Sequence, residues 1–302
     1  MNFKKLGSSK ITKAVIPAAG FGTRFLPWTK AAPKEMLPIL DKPVIQIIVE
    51  ELVEAGIKEI VFVVNKNKKA IRDYFSPHPE LEELLIKNGK EKELREIRRL
   101  NDLAKFHFIE QLPLGKGGTG VAILTAQKLI GQEPFLVLWG DDFIVAQPSR
   151  TRQLLACFEK YQGTIFGCLK REDPESGLRY GFAQGEEIEP GVLRVSNLVE
   201  KPGLGKQPTP YAIVSGFIFL PSIFENLKKA VKKYGQEREI HYNIDGVLPT
   251  LKVEPAYALT IKNAKYYDTG NKFEYLKTVV DFGLKDKNFG EEFGEFLKEF
   301  LG

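Results

Sequence analysis

Residues 17–38 set two glycines and three cations directly after an apolar run, an arrangement suited to holding a polyphosphate. The run from Lys13 to Ala19 stops at Gly20 and Gly22, and Thr23, Arg24, Lys30, Lys34 and Glu35 follow. Glycines after a buried strand let backbone N–H groups approach an anion closely, and the cations supply charge for more than one phosphate. Two common nucleotide fingerprints do not fit. A dinucleotide loop needs a third glycine where Phe25 stands. The Gly115-Lys116 pair has Glu110 in place of the upstream glycine and is followed by Gly117 rather than Ser or Thr.

Two acidic stretches could answer those cations with a metal ion. Trp139-Gly140-Asp141-Asp142 follows the apolar run FLVL, and Asp268 stands in YDTGNK. Strand side chains alternate, so Asp141 and Asp142 cannot both face one cation. Magnesium is held by one or two carboxylates together with substrate phosphates and waters, which Asp141 and Asp268 could offer. Two plainer roles stay open: both acids of the Asp-Asp pair could begin a solvated loop, and Asp268 could cap the helix after it. Glu200-Lys201-Pro202 places an acid and a base at the end of an apolar strand, with Tyr180-Gly181 in a loop before it.

These residues need elements to position them. Short β-branched runs predict strands over Ala14–Ala19, Ile60–Val64, Phe106–Glu110, Phe135–Trp139 and Thr164–Leu169. Between the first two, Asp41 and Pro43 suit a helix start, Ile45, Ile48, Val49 and Leu52 share one face, and Gly56 suits its end. Such alternation predicts a mostly parallel sheet with helices on both faces, with ligands at the carboxyl ends of the strands. Residues 77–105 break the rhythm as a charged insertion, expected to form two short helices around Gly89. Beyond residue 171 the pattern predicts loops over 174–181, 185–191 and 202–210. It predicts extended segments at Val192–Glu200, Tyr211–Leu220 and Ala256–Ile261, and helices near 221–234, 241–252 and after Gly270. An amphipathic tail with Phe289, Phe293, Phe296 and Phe300 closes the chain. We read one domain over 1–302: a half at about 10–170 that carries the glycine loop, a half at about 171–285 that carries Glu200-Lys201, and a C-terminal helix at 286–302.

Composition narrows the class. The chain has 302 residues, 43% hydrophobic and 27% charged, with a formal charge of +5 that gives no case for nucleic acid. Cys157 and Cys168 form no disulfide or metal framework. MNFKKLGSSK lacks an apolar signal core, and no run reaches the roughly 20 apolar residues that span a bilayer. A cytoplasmic protein is the expectation.

The stretch Pro17 to Pro38, with Gly-x-Gly-Thr-Arg and Pro-Lys-Glu-Met, resembles the signature of sugar-nucleotide pyrophosphorylases, and of their bacterial uridylyltransferase branch in particular. The similarity continues in order through Gly140-Asp141-Asp142, Glu200-Lys201-Pro202, Glu239-Ile240 and DTGNKFEYLK, across nearly the whole chain. It implies a Rossmann-like α/β fold, mixed but mainly parallel, with a smaller sugar-binding β region. It implies Mg²⁺-dependent formation of UDP-glucose and pyrophosphate from UTP and glucose 1-phosphate, and a homo-oligomer. By the same resemblance, Arg24, Lys34 and Lys201 are catalytic, and Asp141 and Asp268 hold Mg²⁺. Ala18, Ala19, Gly20, Gly22, Thr23, Glu35, Gln111, Gly115 and Gly140 bind the nucleotide. Tyr180, Gly181, Glu200, Lys201 and Gly216 bind the sugar phosphate. The chain departs from the family over 111–126, at Ser215-Gly216 where an arginine is missing, and over EIHYNIDGV. These departures leave dTTP, CTP or another hexose 1-phosphate open, as well as a non-catalytic sugar-nucleotide-binding subunit.

Overall fold

A computed structural model describes residues 10–302; the first nine residues of the expected domain lie outside the described residues. Apolar runs in the first half form β1 (Lys13–Pro17), β2 (Glu59–Val64), β3 (Lys105–Glu110) and β4 (Phe135–Val137). They are followed by β5 (Asp142–Ala146), β6 (Thr164–Lys170), β7 (Gly181–Glu189) and β8 (Val192–Glu200). The last three are β9 (Tyr211–Phe219), β10 (Ala256–Thr260) and β11 (Ala264–Asp268). Nine strands make one sheet in the order β3-β2-β1-β4-β9-β6-β10-β8-β7. Neighbours are parallel from β3 through β4. Strand β9 then enters antiparallel to both β4 and β6, and β8 runs antiparallel to β10 and β7. Parallel pairing thus rules the strands up to Val137, and antiparallel pairing most of those beyond.

Strand alternation divides the core between the two faces. Ala14 and Ile16 point into one cluster, where helix α1 (Val44–Glu54) inserts Ile45, Ile48, Val49 and Leu52. Val15 points into the other, against Val121 and Ile123 of α2 (Thr119–Thr125). Helix α3 (Arg150–Tyr161) covers the first face, and α4 (Ser222–Tyr234) the second with Phe224 and Leu227. Covering on both faces is what a sheet with fully apolar central strands requires. Helix α5 (Lys272–Leu284) packs against β11. No described helix is long and apolar enough to cross a membrane.

The charged insertion forms helices Pro79–Lys87 and Glu91–Asn101, the first without a buried residue. Two expectations are corrected. Within 185–191 only Pro190 and Gly191 turn; residues 185–189 continue β7, and Gly185 sits inside it, where a Cβ would lie 1.8 Å from Arg194 O, beside an irregularity in the β7–β8 register. A glycine at such a close approach reads as a turn in sequence but serves a strand. Residues 241–252 form no regular α-helix but a π-helical turn, Tyr242–Val247, and a 3₁₀ turn, Leu248–Thr250. Here Asn243 and Asp245 spend their side chains on Glu200 and Arg238, and Pro249 lacks an N–H donor.

Candidate active site

A small ladder standing apart from the main sheet brings the two acidic stretches together. Strands β5 and β11 pair antiparallel with Asp142 opposite Asp268, so Asp141 and Asp268 emerge at the same end. Thr269 Oγ1 donates to the Asp141 backbone oxygen at 2.7 Å and ties the end shut. Asp268 does not cap the following helix. Asn271 does so, accepting from Phe273 and Glu274, while Asp268 Oδ1 accepts only from Gly270 N at 3.1 Å.

A Cβ placed on Gly270 would stand 2.8 Å from Asp141 Oδ2, 3.2 Å from Asp268 Oδ1 and 3.3 Å from Arg24 Nη2. Two carboxylates and a guanidinium thus converge on a space that only glycine leaves free. Lys34 Nζ contacts Asp141 Oδ2, and Arg179 Nη2 lies 2.9 Å from Asp268 Oδ2. Burial would lower the Lys34 ammonium, but the carboxylates of Asp141 and Glu35 outweigh it and hold it above its ordinary value. Among the described residues no group of three or more metal-ligating side chains occurs. The donor set therefore fits a hard divalent cation completed by substrate phosphates and water, rather than a closed protein cage.

Beneath this charge lies a buried support. Lys68 Nζ contacts both oxygens of Glu35, at 2.9 and 2.7 Å, and both side chains are buried. Burial pushes the Glu35 carboxyl up and the Lys68 ammonium down, each opposed by its partner's charge. Glu35 is therefore not free to meet a nucleotide, contrary to expectation; desolvated charges need their partners. Gly140 is likewise turned inward, because a Cβ there would meet Glu35 Cγ at 2.9 Å. Asp142 is buried beside Tyr266 Oη at 3.1 Å, with Arg150 Nη1 3.9 Å away. Burial first, then the Asp141 charge, pushes its carboxyl up to about 7 against the pull of Arg150. Asp142 is thus a strand residue and not the start of a solvated loop.

The glycine loop lies across the β1 end. Ala18 N donates to Val63 O at 2.8 Å, and Asn65 Nδ2 donates to Ala19 O at 2.8 Å. Gly22 adopts φ 66° and is clasped by Thr29 Oγ1 at 2.9 Å, opening the 3₁₀ turn Thr23–Phe25. A Cβ at Gly20 would meet nothing within 4 Å, so the loop there borders open space. Gln111 follows β3, its Nε2 3.4 Å from where a Gly117 Cβ would stand. Gly115 packs against Gly235, whose oxygen a Cβ would approach to 1.9 Å. Its conformation serves to dock the 111–118 loop on residues 235–240, which also exchange bonds through Lys116 N and Ile240 N.

At the end of β8, Lys201 takes a left-handed φ of 42° and donates its backbone N–H to Tyr180 O at 3.2 Å. Such strain in a residue other than glycine gathers where geometry serves function. Glu200 Oε2 accepts from Asn243 Nδ2 at 2.7 Å. Both press on Gly181, where a Cβ would stand 2.8 Å from that oxygen. Gly216 in β9 has φ 123°, and a Cβ there would meet Arg150 Cδ at 2.9 Å and Leu154 Cδ1 at 3.0 Å, so that side of the residue is packed. Sequence reasoning missed Lys68, Arg179 and Asn243. Lys68 hides in the charged run NKNKK, and Arg179 carried a signal only as the neighbour of Tyr180; Asn243 carried none.

The nine-stranded sheet, the glycine loop at the end of β1 and the facing carboxylates have the architecture of a nucleotidyl transferase. Residues 13–282 match the family model of that description, and the chain belongs to this family. It is 39% identical over 292 residues to the UTP–glucose-1-phosphate uridylyltransferase of Bacillus subtilis, covering 97% of this chain and 98% of the relative. Uridylyltransferase 1 of the same description from Staphylococcus saprophyticus is 41% identical over 289 residues, with 96% and 98% covered. Among solved structures, a UDP-glucose pyrophosphorylase complexed with UDP-glucose matches with a TM-score of 0.79 and 36% identity, over 91% of this chain and all of the other. The UTP-bound UGPase of Acinetobacter baumannii matches at 0.85 and 28%, over 96% and 99%.

Proposed function

We propose that this protein makes UDP-glucose and pyrophosphate from UTP and glucose 1-phosphate. The convergence of Asp141, Asp268 and Arg24 on the space beside Gly270 carries the proposal, and the uridylyltransferase relatives give it its substrates. A phosphate oxygen of the sugar attacks the α-phosphorus of UTP. The bond from that phosphorus to the bridging oxygen breaks, and pyrophosphate leaves with the electron pair. Both reactants are anions, so positioning and neutralisation outweigh any covalent nucleophile. Arg24 and Lys34 hold the triphosphate, with the loop backbone from Ala18 through Thr23 beneath it and Gln111 at the base. Lys201 holds the attacking phosphate, Glu200 accepts from sugar hydroxyls, and Tyr180-Gly181 line their side of the pocket. Asp141 and Asp268 would hold Mg²⁺, which when bound neutralises phosphate charge where the substrates meet.

The protein works in the cytoplasm as one domain. The stripe Phe273, Leu276, Val280 and Leu284, exposed on α5, supports a homo-oligomer. Pyrophosphate release with glucose 1-phosphate, tested across UTP, dTTP, CTP and ATP with and without Mg²⁺, decides the reading. Release with UTP that needs the metal is expected. Preference for another triphosphate would overturn the base assignment, and UDP-glucose binding without turnover would overturn the enzyme.

A further inference from the structure

We infer that Asn243 fixes the Glu200 carboxylate in the one orientation that selects among hexose 1-phosphates, an inference that rests on the sugar-binding role of Glu200 proposed above. Asn243 is 1% exposed and lies in the π-helical turn Tyr242–Val247. Turns of this kind are rare and concentrate at functional sites. Its Nδ2 donates to Glu200 Oε2 at 2.7 Å, while its Oδ1 accepts from Ile244 N at 2.8 Å. The second bond fixes the amide: a flip would set a donor against the Ile244 N–H and an acceptor against a carboxylate. Asn243 is therefore a donor to Glu200 and cannot exchange roles with it.

Glu200 stands at the end of β8, and its Oε2 is confined on two sides, by Asn243 and by the bare Cα of Gly181. Among the described residues Oε1 makes no hydrogen bond or ion pair with protein, and it is left to accept from a ligand hydroxyl. A carboxylate held this way rewards a hydroxyl in one position and leaves its own oxygen unpaired when an epimer moves that hydroxyl. Sites built to pair with a hydroxyl discriminate well against ligands that misplace it. The turn is itself anchored: Tyr242 packs against Trp139 at 5.4 Å and Phe217 at 4.9 Å between ring centroids. Trp139 lies two residues before Asp141, so the orientation of Glu200 is referenced to the same strand end that carries the proposed metal ligand. Asn243 touches no substrate in this scheme; it is a positioning residue.

The test compares glucose 1-phosphate with galactose 1-phosphate, each at saturating UTP and Mg²⁺, for the parent, Asn243→Ala, Asn243→Asp and Glu200→Gln. Asn243→Ala should raise KM for glucose 1-phosphate roughly tenfold, leave KM for UTP within about twofold, and draw the two epimers' kcat/KM values together. Asn243→Asp, which sets two carboxylates face to face, should lose more than Asn243→Ala. A purely structural role would instead move KM for both substrates and the melting temperature together. Should Asn243→Ala fail to fold, Asn243→Thr, smaller and still polar, is measured in its place. If Glu200→Gln shifts the epimer ratio while the Asn243 variants keep the parent ratio, this inference alone is overturned. If the parent turns over neither sugar phosphate, the proposed function is overturned and this inference with it.

Discussion

Two glycines, Gly20 after β1 and Gly140 after β4, make opposite experiments. Gly20 faces open space, so Gly20→Ala should fold with an unchanged melting temperature yet raise KM for UTP about tenfold, because its methyl enters the space where we propose the triphosphate binds. Gly140→Ala should do the reverse to stability, since its methyl drives Glu35 off Lys68. Thermal melts beside steady-state kinetics separate the two. Arg24→Ala and Asp141→Ala should each cut turnover at least about a hundredfold with the fold intact, the usual scale for one electrostatic contact to a developing charge. Near-normal turnover in both would remove the roles assigned here. The cations and carboxylates of this site were legible because their chemistry is carried by the residue itself. Lys68, Arg179 and Asn243 were not, because each acquires meaning from a partner 33, 89 and 43 positions away.

Among the elements, the loop from Gln111 to Gly118 carries the sharpest expectation. Gly115 has φ 57° and no room for a methyl against Gly235, so Gly115→Ala must lift the loop off residues 235–240. Base selectivity among UTP, dTTP and CTP should then relax, read as converging kcat/KM values, while KM for glucose 1-phosphate changes little. Selectivity that stays at the parent level would show that this docking does not shape the base pocket. The strands legible in sequence are β1 to β4, β6 and β8 to β10, apolar runs that are mostly buried, with β3 only half-buried. Strands β5, β7 and β11 escaped because acids, glycines or exposed polar residues interrupt them. Their identity comes from ladder partners, which no local pattern announces.

For the molecule as a whole, burial of ionisable groups sets how it responds to pH. The Asp142 carboxyl lies at about 7, above its unfolded value, so the folded protein keeps that proton longer than the unfolded chain does. Stability contributed at Asp142 is therefore full in acid, falls as pH climbs from the ordinary carboxylate range to about 7, and is level beyond. At about 1.4 kcal/mol per pH unit the loss is of order 4 kcal/mol. Without divalent cation, Asp142→Asn should change its melting temperature less between pH 5 and pH 8 than the parent; an equal change in both would refute the assignment. Burial also pushes the Cys157 thiol up to about 12 and Cys168 well above the usual thiol range, so neither should alkylate at pH 8 until the protein unfolds. The α/β class was legible in the alternation of the first half. The placement of β9 in the middle of the sheet was not, because an antiparallel strand inserted between distant parallel ones obeys no local rule.

The ladder of β5 and β11 spans a long stretch of chain, with Thr269 bonded to Asp141 across 128 positions. A ribosome must release the chain through Asp268 before that carboxylate can reach its counterpart, so on the proposed roles a nascent chain ending short of it would bind UTP without turning it over.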